Sequence, residues 1–271
     1  MCRLIGFAAP EPATLTELAG AEQVALFRDM GRVHRDGWGT AWLDPAPHDL
    51  ALRTFRAMGL PDDAEFAALV EAPPSVARVA HLRWATEGME ISERNSHPFV
   101  ADGIALAHNG TISPRADLDD LLKPELRSSL LGTTDSERYL ALVRQELRET
   151  GNVPEAVGRA ITKMRHEFPL ASLNAMVLTA DLLVVVHASL DSQVPLDEMR
   201  SRGIRDEELP RGHVDDYFQM YWQRGPRGSV LFSSTGLDND GWEPMPPESV
   251  TTIDLATMRV TTAALGHADH A

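Results

Sequence analysis

Cysteine is the scarcest reactive residue of this sequence: the 271 residues contain one, at position 2. A single cysteine cannot form an internal disulfide, so the chain lacks the covalent bridges on which small secreted domains depend. It also cannot supply the several thiolates of a metal–thiolate cluster. The lack of a disulfide favours a reducing compartment, and we expect a cytoplasmic protein.

Basic residues and long apolar runs are scarce as well. Lys and Arg number 25 against 40 Asp and Glu, which gives a formal charge of −15. Proteins that bind nucleic acid usually carry a basic stripe, so this balance argues against such a partner. The longest strongly apolar stretch, 182–186, is far shorter than the roughly 20 residues of a membrane span. Pro10 and Pro12 interrupt any secretory signal.

Hydrophobic patterning predicts strands, then helices, then strands again. Strands are predicted at 3–9, 37–43, 50–58, 76–85, 97–100, 104–110, 173–180, 182–188, 229–235 and 250–262. Helices are predicted at 14–30, 61–70 and 118–131, from Thr134 onward, and at 153–168. Strict strand–helix alternation is missing, and neither a G-x-G-x-x-G nor a Walker A string occurs. We therefore expect one α+β layered domain over 1–265, with a frayed tail at 266–271.

Cys2 is the candidate nucleophile. A small residue after Met1 is the usual context for removal of the initiator methionine, which would give Cys2 a free α-amine. One residue would then hold a thiol and a base with a pKa of about 7.7–8.0. An N-terminal threonine nucleophile works by the same logic. The alternative is that Cys2 is a small buried apolar residue of the first strand.

Four further residues have side chains or backbones suited to binding an amino acid. Arg83 can hold a carboxylate by two parallel hydrogen bonds. Asn109 and Gly110 offer N–H donors of the kind that stabilise an oxyanion. Asp135 follows Thr134 in a T-D-S-E string with the spacing of a capping box, and its carboxylate could bind an ammonium group. Each also has a structural alternative. Arg83 could form a structural ion pair, Asn109 and Gly110 could form an Asn-Gly turn, and Asp135 could be a carboxylate that stabilises the start of a helix.

These residues lie in motifs that together resemble the glutaminase domain of class II glutamine amidotransferases, which are N-terminal-nucleophile hydrolases. The motifs are Cys2 behind Met1, RWAT at 83–86, NSHPF at 95–99, HNG at 108–110 and TDSE at 134–137. DGWGTAW at 36–42 and SSTGLDNDGWEPMPP at 233–247 resemble the small standalone members, which include a γ-glutamyl amidohydrolase of ergothioneine biosynthesis. The resemblance implies a four-layer αββα sandwich.

The resemblance also implies a role for each site residue. Cys2 would be the nucleophile and its α-amine the base, with Asn109 and Gly110 as the oxyanion hole. Arg83 would bind the substrate α-carboxylate and Asp135 its α-amine. The pocket beside them would be formed by Trp84, Thr86 and His108. The implied reaction is hydrolysis of glutamine or a γ-glutamyl amide through a γ-glutamyl thioester, with no metal or organic cofactor.

Two other functions stay open. The protein could be a glutaminase subunit that passes ammonia to a separate synthase, because we expect no synthase domain on the same chain. It could also be a non-catalytic amino-acid-binding module, although a pure binder has no need of an N-terminal thiol. One position departs from the family pattern: Glu87 stands where many ammonia-channelling members have a histidine.

Four histidines are candidate metal ligands: His34, His81, His97 and His108. Their spacing matches no zinc pattern, so we expect supporting or packing roles, with His97 fixing a loop before Pro98.

Two further segments are unusual in composition, and we predict a structural role for each. The aromatic run 217–222 has helical spacing that predicts packing against the sheet, and the acidic stretch 206–208 is predicted to be a solvated loop.

Overall fold

The protein is described by a computed structural model that covers residues 2–45, 50–71, 74–86 and 88–266. Met1, Glu87 and all but the first residue of the predicted tail lie outside the described residues. The described part contains these strands: β1 (Arg3–Ala13), β2 (Gly37–Pro45), β3 (Leu50–Ala57), β4 (Ser75–Arg83), β5 (Phe99–Ala101), β6 (Ile104–Asn109), β7 (Asn174–Leu178), β8 (Leu182–His187), β9 (Met220–Arg224), β10 (Val230–Ser234), β11 (Glu243–Pro244), β12 (Ser249–Asp254) and β13 (Arg259–Ala264). Every strand predicted from the sequence has a counterpart among them, although β1 runs four residues further than predicted.

The strands form two antiparallel sheets. One has seven strands in the order β11-β9-β10-β1-β4-β2-β3, and the other has six in the order β13-β12-β8-β7-β6-β5. The first strand of the chain is central: Ile5 lies opposite Ser233 on one side and Ala80 on the other. The residue that precedes β1 is therefore held by a strand with neighbours on both edges.

Helices connect the strands and cover the outer faces of both sheets. They are α1 (Leu15–Ala19), α2 (Ala21–Asp29), α3 (Asp63–Phe66), α4 (Arg115–Asp120), α5 (Pro124–Arg127), α6 (Asp135–Thr150), α7 (Val153–Glu167) and α8 (Leu196–Ser201). Helix α3 continues as a π-helical segment, Ala67–Glu71. Among the described residues, no helix has the length and apolar character needed to cross a membrane.

Three apolar clusters divide the molecule into four layers. One packs α6 and α7 on the six-stranded sheet, and its members include Tyr139, Ile161, Val177 and Val184. The next fills the space between the sheets and includes Leu4, Val79, Met176 and Val185. The third packs α1, α2 and α3 on the seven-stranded sheet and includes Phe7, Val24, Phe27 and Phe66. The order helix, sheet, sheet, helix confirms the predicted αββα sandwich.

The two sheets approach most closely where β1 carries a glycine. A Cβ at Gly6 would lie 2.8 Å from Met176 Sδ of the facing sheet and 2.9 Å from the carbonyl oxygen of Arg78. Real Cβ atoms do not come that close, and the backbone oxygen cannot rotate away. Gly6 therefore permits the separation between the sheets on which the site depends.

Two predicted helices are wrong as continuous elements. The helix predicted at 14–30 is interrupted at Gly20, whose φ of +89° lies in the region that favours glycine, and it divides into α1 and α2. The helix predicted at 118–131 is replaced by α4 and α5. Pro124 explains this break, because it stands at the first position of α5 and cannot continue a preceding helix.

The start of α6 is confirmed, but its capping contacts differ from the prediction. Thr134 caps the helix by accepting a hydrogen bond from the Glu137 backbone N–H at 3.1 Å. The Glu137 carboxylate does not complete a capping box. It accepts instead from the N–H groups of Leu131 and Gly132, each at 2.8 Å. These contacts hold the loop that precedes α6 and so fix the position of Asp135, the first residue of the helix.

The aromatic run and the acidic stretch also have defined positions. The aromatic run is not helical: Tyr217 and Phe218 lie in a buried turn, while Tyr221 and Trp222 belong to β9. Tyr221 and Trp222 pack against the apolar clusters on the two faces of the seven-stranded sheet, in agreement with the predicted packing. Residues 206–208 form an exposed 3₁₀ turn, which agrees with the predicted solvated loop except for its helical geometry.

Two glycine-to-alanine substitutions test this packing, and we expect them to change the free energy of unfolding in opposite directions. Gly6→Ala should lower the free energy of unfolding by about 1–3 kcal/mol, the usual cost of overpacking a core. Gly158→Ala should raise it by about 0.5–1 kcal/mol, since Gly158 is inside α7 and a Cβ there meets no atom within 4 Å. Urea denaturation of both variants measures the two values. A neutral Gly6→Ala would contradict the close approach of the sheets.

Candidate functional site

Cys2 lies where the two sheets meet. It is 4% exposed, and its backbone N–H donates to Asn109 Oδ1 at 3.0 Å. Its Sγ lies 3.9 Å from the carbonyl oxygen of Trp84. Cys2 leads into β1 of one sheet, whereas Asn109 ends β6 of the other. One hydrogen bond thus joins the candidate nucleophile to the opposite sheet.

Asn109 presents a buried amide donor next to Cys2. Its side chain is fully buried, and the Nδ2 group has no hydrogen-bond partner in the described part of the chain. The backbone carbonyl of Asn109 accepts from Ser172 Oγ at 2.9 Å, which fixes the residue. An unpaired buried donor costs about 1–3 kcal/mol, so its presence suggests that an acceptor binds there.

Gly110 follows at a point where only glycine fits. A Cβ on Gly110 would lie 1.9 Å from the carbonyl oxygen of Ser172 and 2.6 Å from His108 Nε2. The backbone of residue 110 is therefore packed too tightly for any side chain. Its N–H is the second predicted oxyanion donor, next to Asn109.

Arg83 ends β4 and carries a buried guanidinium. It is 2% exposed, its Nη2 donates to the carbonyl of Glu90 at 3.3 Å, and its Nη1 has no partner among the described residues. Burial lowers the pKa of Arg83, and the negative charges near it, those of Cys2 as thiolate, Asp36 and Asp135, act in the opposite direction. One arm of this guanidinium is available to an anion.

Asp135 opens α6 and is held by backbone donors. It is 5% exposed, its Oδ2 accepts from the Ile112 N–H at 2.7 Å, and its Oδ1 accepts from the Ser136 N–H at 2.9 Å. Oδ1 also lies 3.3 Å from Ser136 Oγ, so the lone pair left for a ligand is on Oδ2. Asp135 and Arg83 thus give the site a buried carboxylate and a buried guanidinium.

Trp84 and Thr86 continue the chain beyond Arg83. The indole Nε1 of Trp84 donates to Glu198 at 3.2 Å, and the guanidinium carbon of Arg202 lies 4.3 Å from the ring centroid. Thr86 Oγ1 lies 3.1 Å from Thr111 Oγ1 and joins this segment to the one after Gly110. Both residues follow Arg83 directly in the chain, and their predicted contact with a substrate stays a prediction; Glu87 lies outside the described residues.

The predicted substrate contact of His108 finds no support in the geometry. Its ring is fully buried; Nε2 lies 2.8 Å from the carbonyl oxygen of Ser172 and Nδ1 lies 2.9 Å from Ser136 Oγ. Burial lowers the pKa of His108, so the ring is neutral and both nitrogens are engaged within the protein. His108 instead supports the end of β6 from which Asn109 and Gly110 project.

The Cys2 thiol holds its proton more strongly than an exposed thiol. Burial raises the pKa of the thiol, and the nearby cations Arg83 and Arg3 offset only part of that rise. A buried protonated thiol is a poor nucleophile, so attack on a carbonyl requires a base within hydrogen-bond reach.

Three residues that support the site were not predicted from the sequence to be site residues. Arg3 is fully buried, with its guanidinium carbon 4.0 Å from the centroid of the Tyr217 ring. Asp36 accepts from the Ala85 N–H at 2.8 Å and so fixes the segment after Arg83. Asn95 accepts from the Thr133 N–H at 2.9 Å and joins the loop before β5 to the loop before α6. A charge inside an apolar strand was the available signal for Arg3.

Two cavities lie near these residues. One of about 180 Å³ is lined by Thr111, Ser172 and Phe218, next to the segment of Gly110. A larger one, of about 770 Å³, includes Val33 and Arg202 among its lining residues but none of the predicted site residues. The smaller cavity is not lined by a predicted site residue either, but it adjoins the site through Thr111, which contacts Thr86, and Ser172, which contacts Asn109.

Comparison with known proteins identifies relatives along nearly the whole chain. A family model described as "Glutamine amidotransferases class-II" matches residues 1–263. A glutamine–fructose-6-phosphate aminotransferase (isomerizing) from Pseudomonas syringae pv. tomato is 30% identical over 240 residues, covering 88% of this chain and 36% of that protein. The protein of the same name from Escherichia coli K12 is 42% identical over 87 residues, covering 32% of this chain and 14% of that protein.

Solved structures share the fold. A glutamine aminotransferase class-II domain protein from Silicibacter pomeroyi aligns with a TM-score of 0.62 at 20% identity, covering 98% of this chain and 100% of that chain. Glutamine phosphoribosylpyrophosphate amidotransferase from Bacillus subtilis aligns with a TM-score of 0.64 at 14% identity, covering 98% of this chain and 50% of that chain. Since the family match covers almost every residue, the chain belongs to the class II glutamine amidotransferases.

Proposed function

We propose that the protein hydrolyses the side-chain amide of glutamine, or of a γ-glutamyl compound, through Cys2. The observation that carries the proposal is that the two ends of one buried side-chain amide, that of Asn109, have different roles. Asn109 Oδ1 accepts from the Cys2 nitrogen at 3.0 Å, while Nδ2 of the same side chain is a buried donor without a partner in the described chain. A donor held beside the nucleophile suits the oxyanion that forms when a carbonyl is attacked.

The first half of the reaction transfers an acyl group to sulfur. Removal of Met1 turns the Cys2 nitrogen into an amine, which can donate to Asn109 Oδ1 and keep its lone pair. That lone pair takes the thiol proton while Sγ forms a bond to the δ-carbon of the substrate. The oxyanion accepts hydrogen bonds from Asn109 Nδ2 and the Gly110 N–H. The C–N bond then breaks, the α-ammonium protonates the departing nitrogen, and a γ-glutamyl thioester remains.

The second half of the reaction releases the acid. Water attacks the thioester carbonyl and gives a proton to the α-amine, and the same donors bind the second oxyanion. The C–S bond breaks, the sulfur regains its proton from the α-ammonium, and glutamate departs. Burial raises the pKa of the thiol, which supports a base in the first half of the reaction, because the thiol proton must leave the sulfur as the C–S bond forms.

Recognition of the amino-acid end follows from the two buried charges. The unpaired Nη1 of Arg83 would donate to the substrate α-carboxylate, and the anchored carboxylate of Asp135 would accept from its α-ammonium. Both side chains are nearly inaccessible to solvent, so water competes weakly for either bond. This pair selects a free amino acid end and leaves the amide substituent to be bound elsewhere.

Labelling of Cys2 and processing of Met1 provide the first test. A glutamine analogue with an electrophile at the δ position should give one adduct, on Cys2, and only in molecules from which Met1 has been removed. Intact-mass spectrometry measures both modifications in one spectrum, and Cys2→Ala is the negative control. Treatment of unprocessed protein with methionine aminopeptidase should raise amide release in proportion to the processed fraction.

The corresponding release assay compares glutamine with several γ-glutamyl amides. Ammonia or amine release from at least one of them is expected. Processed protein that binds these compounds, leaves Cys2 unlabelled and releases nothing would contradict the proposal and favour a binding module.

The oxyanion role is tested by Asn109→Asp. The change keeps an acceptor for the Cys2 nitrogen but removes the Nδ2 donor, so kcat should fall by about 10²–10³ with little change in KM. Asn152→Asp is the matched control: Asn152 caps α7 by accepting from the Glu155 N–H, and aspartate does this equally well. Equal kcat values for Asn109→Asp and the parent protein would remove Asn109 from its role.

The carboxylate role is tested by Arg83→Lys. Lysine keeps the charge but loses the planar fork, and loss of a charge-assisted hydrogen bond of about 1.5–3 kcal/mol should raise KM roughly 10- to 100-fold. Arg53→Lys, at an exposed pair with Asp44, is the matched control and should leave KM unchanged. Steady-state kinetics separate the two parameters, and an unaltered KM in Arg83→Lys would refute the assignment.

A further inference from the structure

Cys2 has two histidine neighbours that the reaction above does not use. His81 belongs to β4 and His97 precedes β5; the two ring centroids lie 4.1 Å apart, and the ring planes are tilted by 36°. Sγ of Cys2 and one ring nitrogen of each histidine all lie within 4.8 Å of one another. The three side chains are at most 4% exposed.

Most ring nitrogens of the two histidines have no hydrogen-bond partner in the described part of the chain. Neither ring nitrogen of His97 has a hydrogen-bond partner in the described part of the chain, and neither has Nδ1 of His81. His81 Nε2 lies 3.2 Å from the carbonyl oxygen of His108, which can only accept. That contact places the proton of His81 on Nε2 and leaves the lone pair of Nδ1 free, an arrangement typical of histidines that bind metals.

Burial lowers the pKa of His81 and of His97 well below the usual value. Zinc binds cysteine as the thiolate, so an ion that binds Sγ would displace the thiol proton.

We propose that Cys2, His81 and His97 form a binding site for Zn²⁺ and that the bound ion inhibits the enzyme. One thiolate and two imidazoles are a ligand set that zinc prefers, and tetrahedral zinc would keep a fourth position for water. The inhibitory effect rests on the proposed function, because a sulfur bonded to zinc cannot attack a carbonyl. Binding itself needs only the three side chains.

The geometry and the surrounding charges set the expected strength of binding. Zinc bonds of 2.0–2.3 Å place tetrahedral ligand atoms about 3.5 Å apart, so the site must contract by roughly 1 Å. The guanidinium groups of Arg3, Arg56 and Arg83 act on this cluster and oppose a dication. We therefore expect reversible binding at micromolar free zinc, weaker than that of a structural zinc site.

Cobalt absorption tests the site without any enzyme assay. Titration of processed protein with Co²⁺ should produce visible d–d bands and a near-ultraviolet sulfur-to-cobalt charge-transfer band that saturate at one ion per chain. Cys2→Ser should abolish the charge-transfer band. His97→Phe, which keeps a ring beside His81 but removes both nitrogens, should weaken cobalt binding at least tenfold. His166→Phe is the matched control, since His166 is exposed on α7.

Zinc inhibition of amide release tests the consequence. Half-inhibition should occur at micromolar free zinc in a metal-buffered assay, should be reversed by EDTA, and should shift at least tenfold in His97→Phe but not in His166→Phe. Each variant is compared with its own uninhibited rate, and circular dichroism checks that it is folded.

The possible failures are distinguishable. Absence of the charge-transfer band at millimolar cobalt overturns the metal site, as does equal zinc sensitivity of His97→Phe and the parent protein. A saturable band with no zinc inhibition of an active enzyme overturns the inhibitory effect. A saturable band in protein that releases nothing from any amide overturns the proposed function and leaves the metal site standing.

Discussion

The hydrogen bond from the Cys2 nitrogen to Asn109 Oδ1 determines the geometry of the site. It is the contact by which the start of β1 in one sheet is tied to the end of β6 in the other. A primary amide is rigid and planar, so an Oδ1 held by Cys2 also fixes the direction of Nδ2. The position of the nucleophile and the direction of the oxyanion donor therefore depend on each other. Ser172 and His108 serve this geometry indirectly, because they fix the backbone from which Asn109 projects.

The site is expensive to fold, because it buries polar groups that have no protein partner. Asn109 Nδ2, Arg83 Nη1 and both nitrogens of His97 are such groups among the described residues. Each costs about 1–3 kcal/mol, a large part of the usual stability of a domain. Two sheets and their covering helices bury enough apolar surface to offset that cost. The close approach of the sheets at Gly6 contributes to this burial, because Cys2 leads into one sheet and Asn109 ends a strand of the other.

The sequence predicted the strands and the family better than the helices and the detailed contacts. Short apolar runs bounded by turn residues are strong strand signals, and the site motifs keep their order along the chain. The helix predicted at 118–131 is interrupted because Pro124 outweighs the apolar spacing, and the one predicted at 14–30 is interrupted at Gly20 for a similar reason. Both interruptions come from single residues, so they are local features of the sequence.

Other features of the site depend on contacts between distant segments, which no local pattern reports. Arg3 is held by the carbonyl of Tyr217, and Asp36 pairs with Arg202 at 2.9 Å. His108 fell within a recognisable motif, but only its engaged nitrogens show that it supports the backbone. The cluster of Cys2, His81 and His97 escaped a search for zinc spacing because its members come from the chain start, a strand and a loop. Antiparallel pairing of β1 with β4 brings the first two together.

Burial of Cys2 has two consequences that oppose each other. A buried thiol holds its proton, which protects the sulfur from unwanted chemistry until a base and a carbonyl are both in place. The same burial keeps His81 and His97 neutral, and neutral imidazoles next to a thiol attract the ions that replace its proton. Carbonyl carbon and metal ion therefore compete for one electron pair on Sγ. Substrate has the advantage where Arg83 and Asp135 bind its two charges, because the free energy of those contacts is available to glutamine and not to a bare ion.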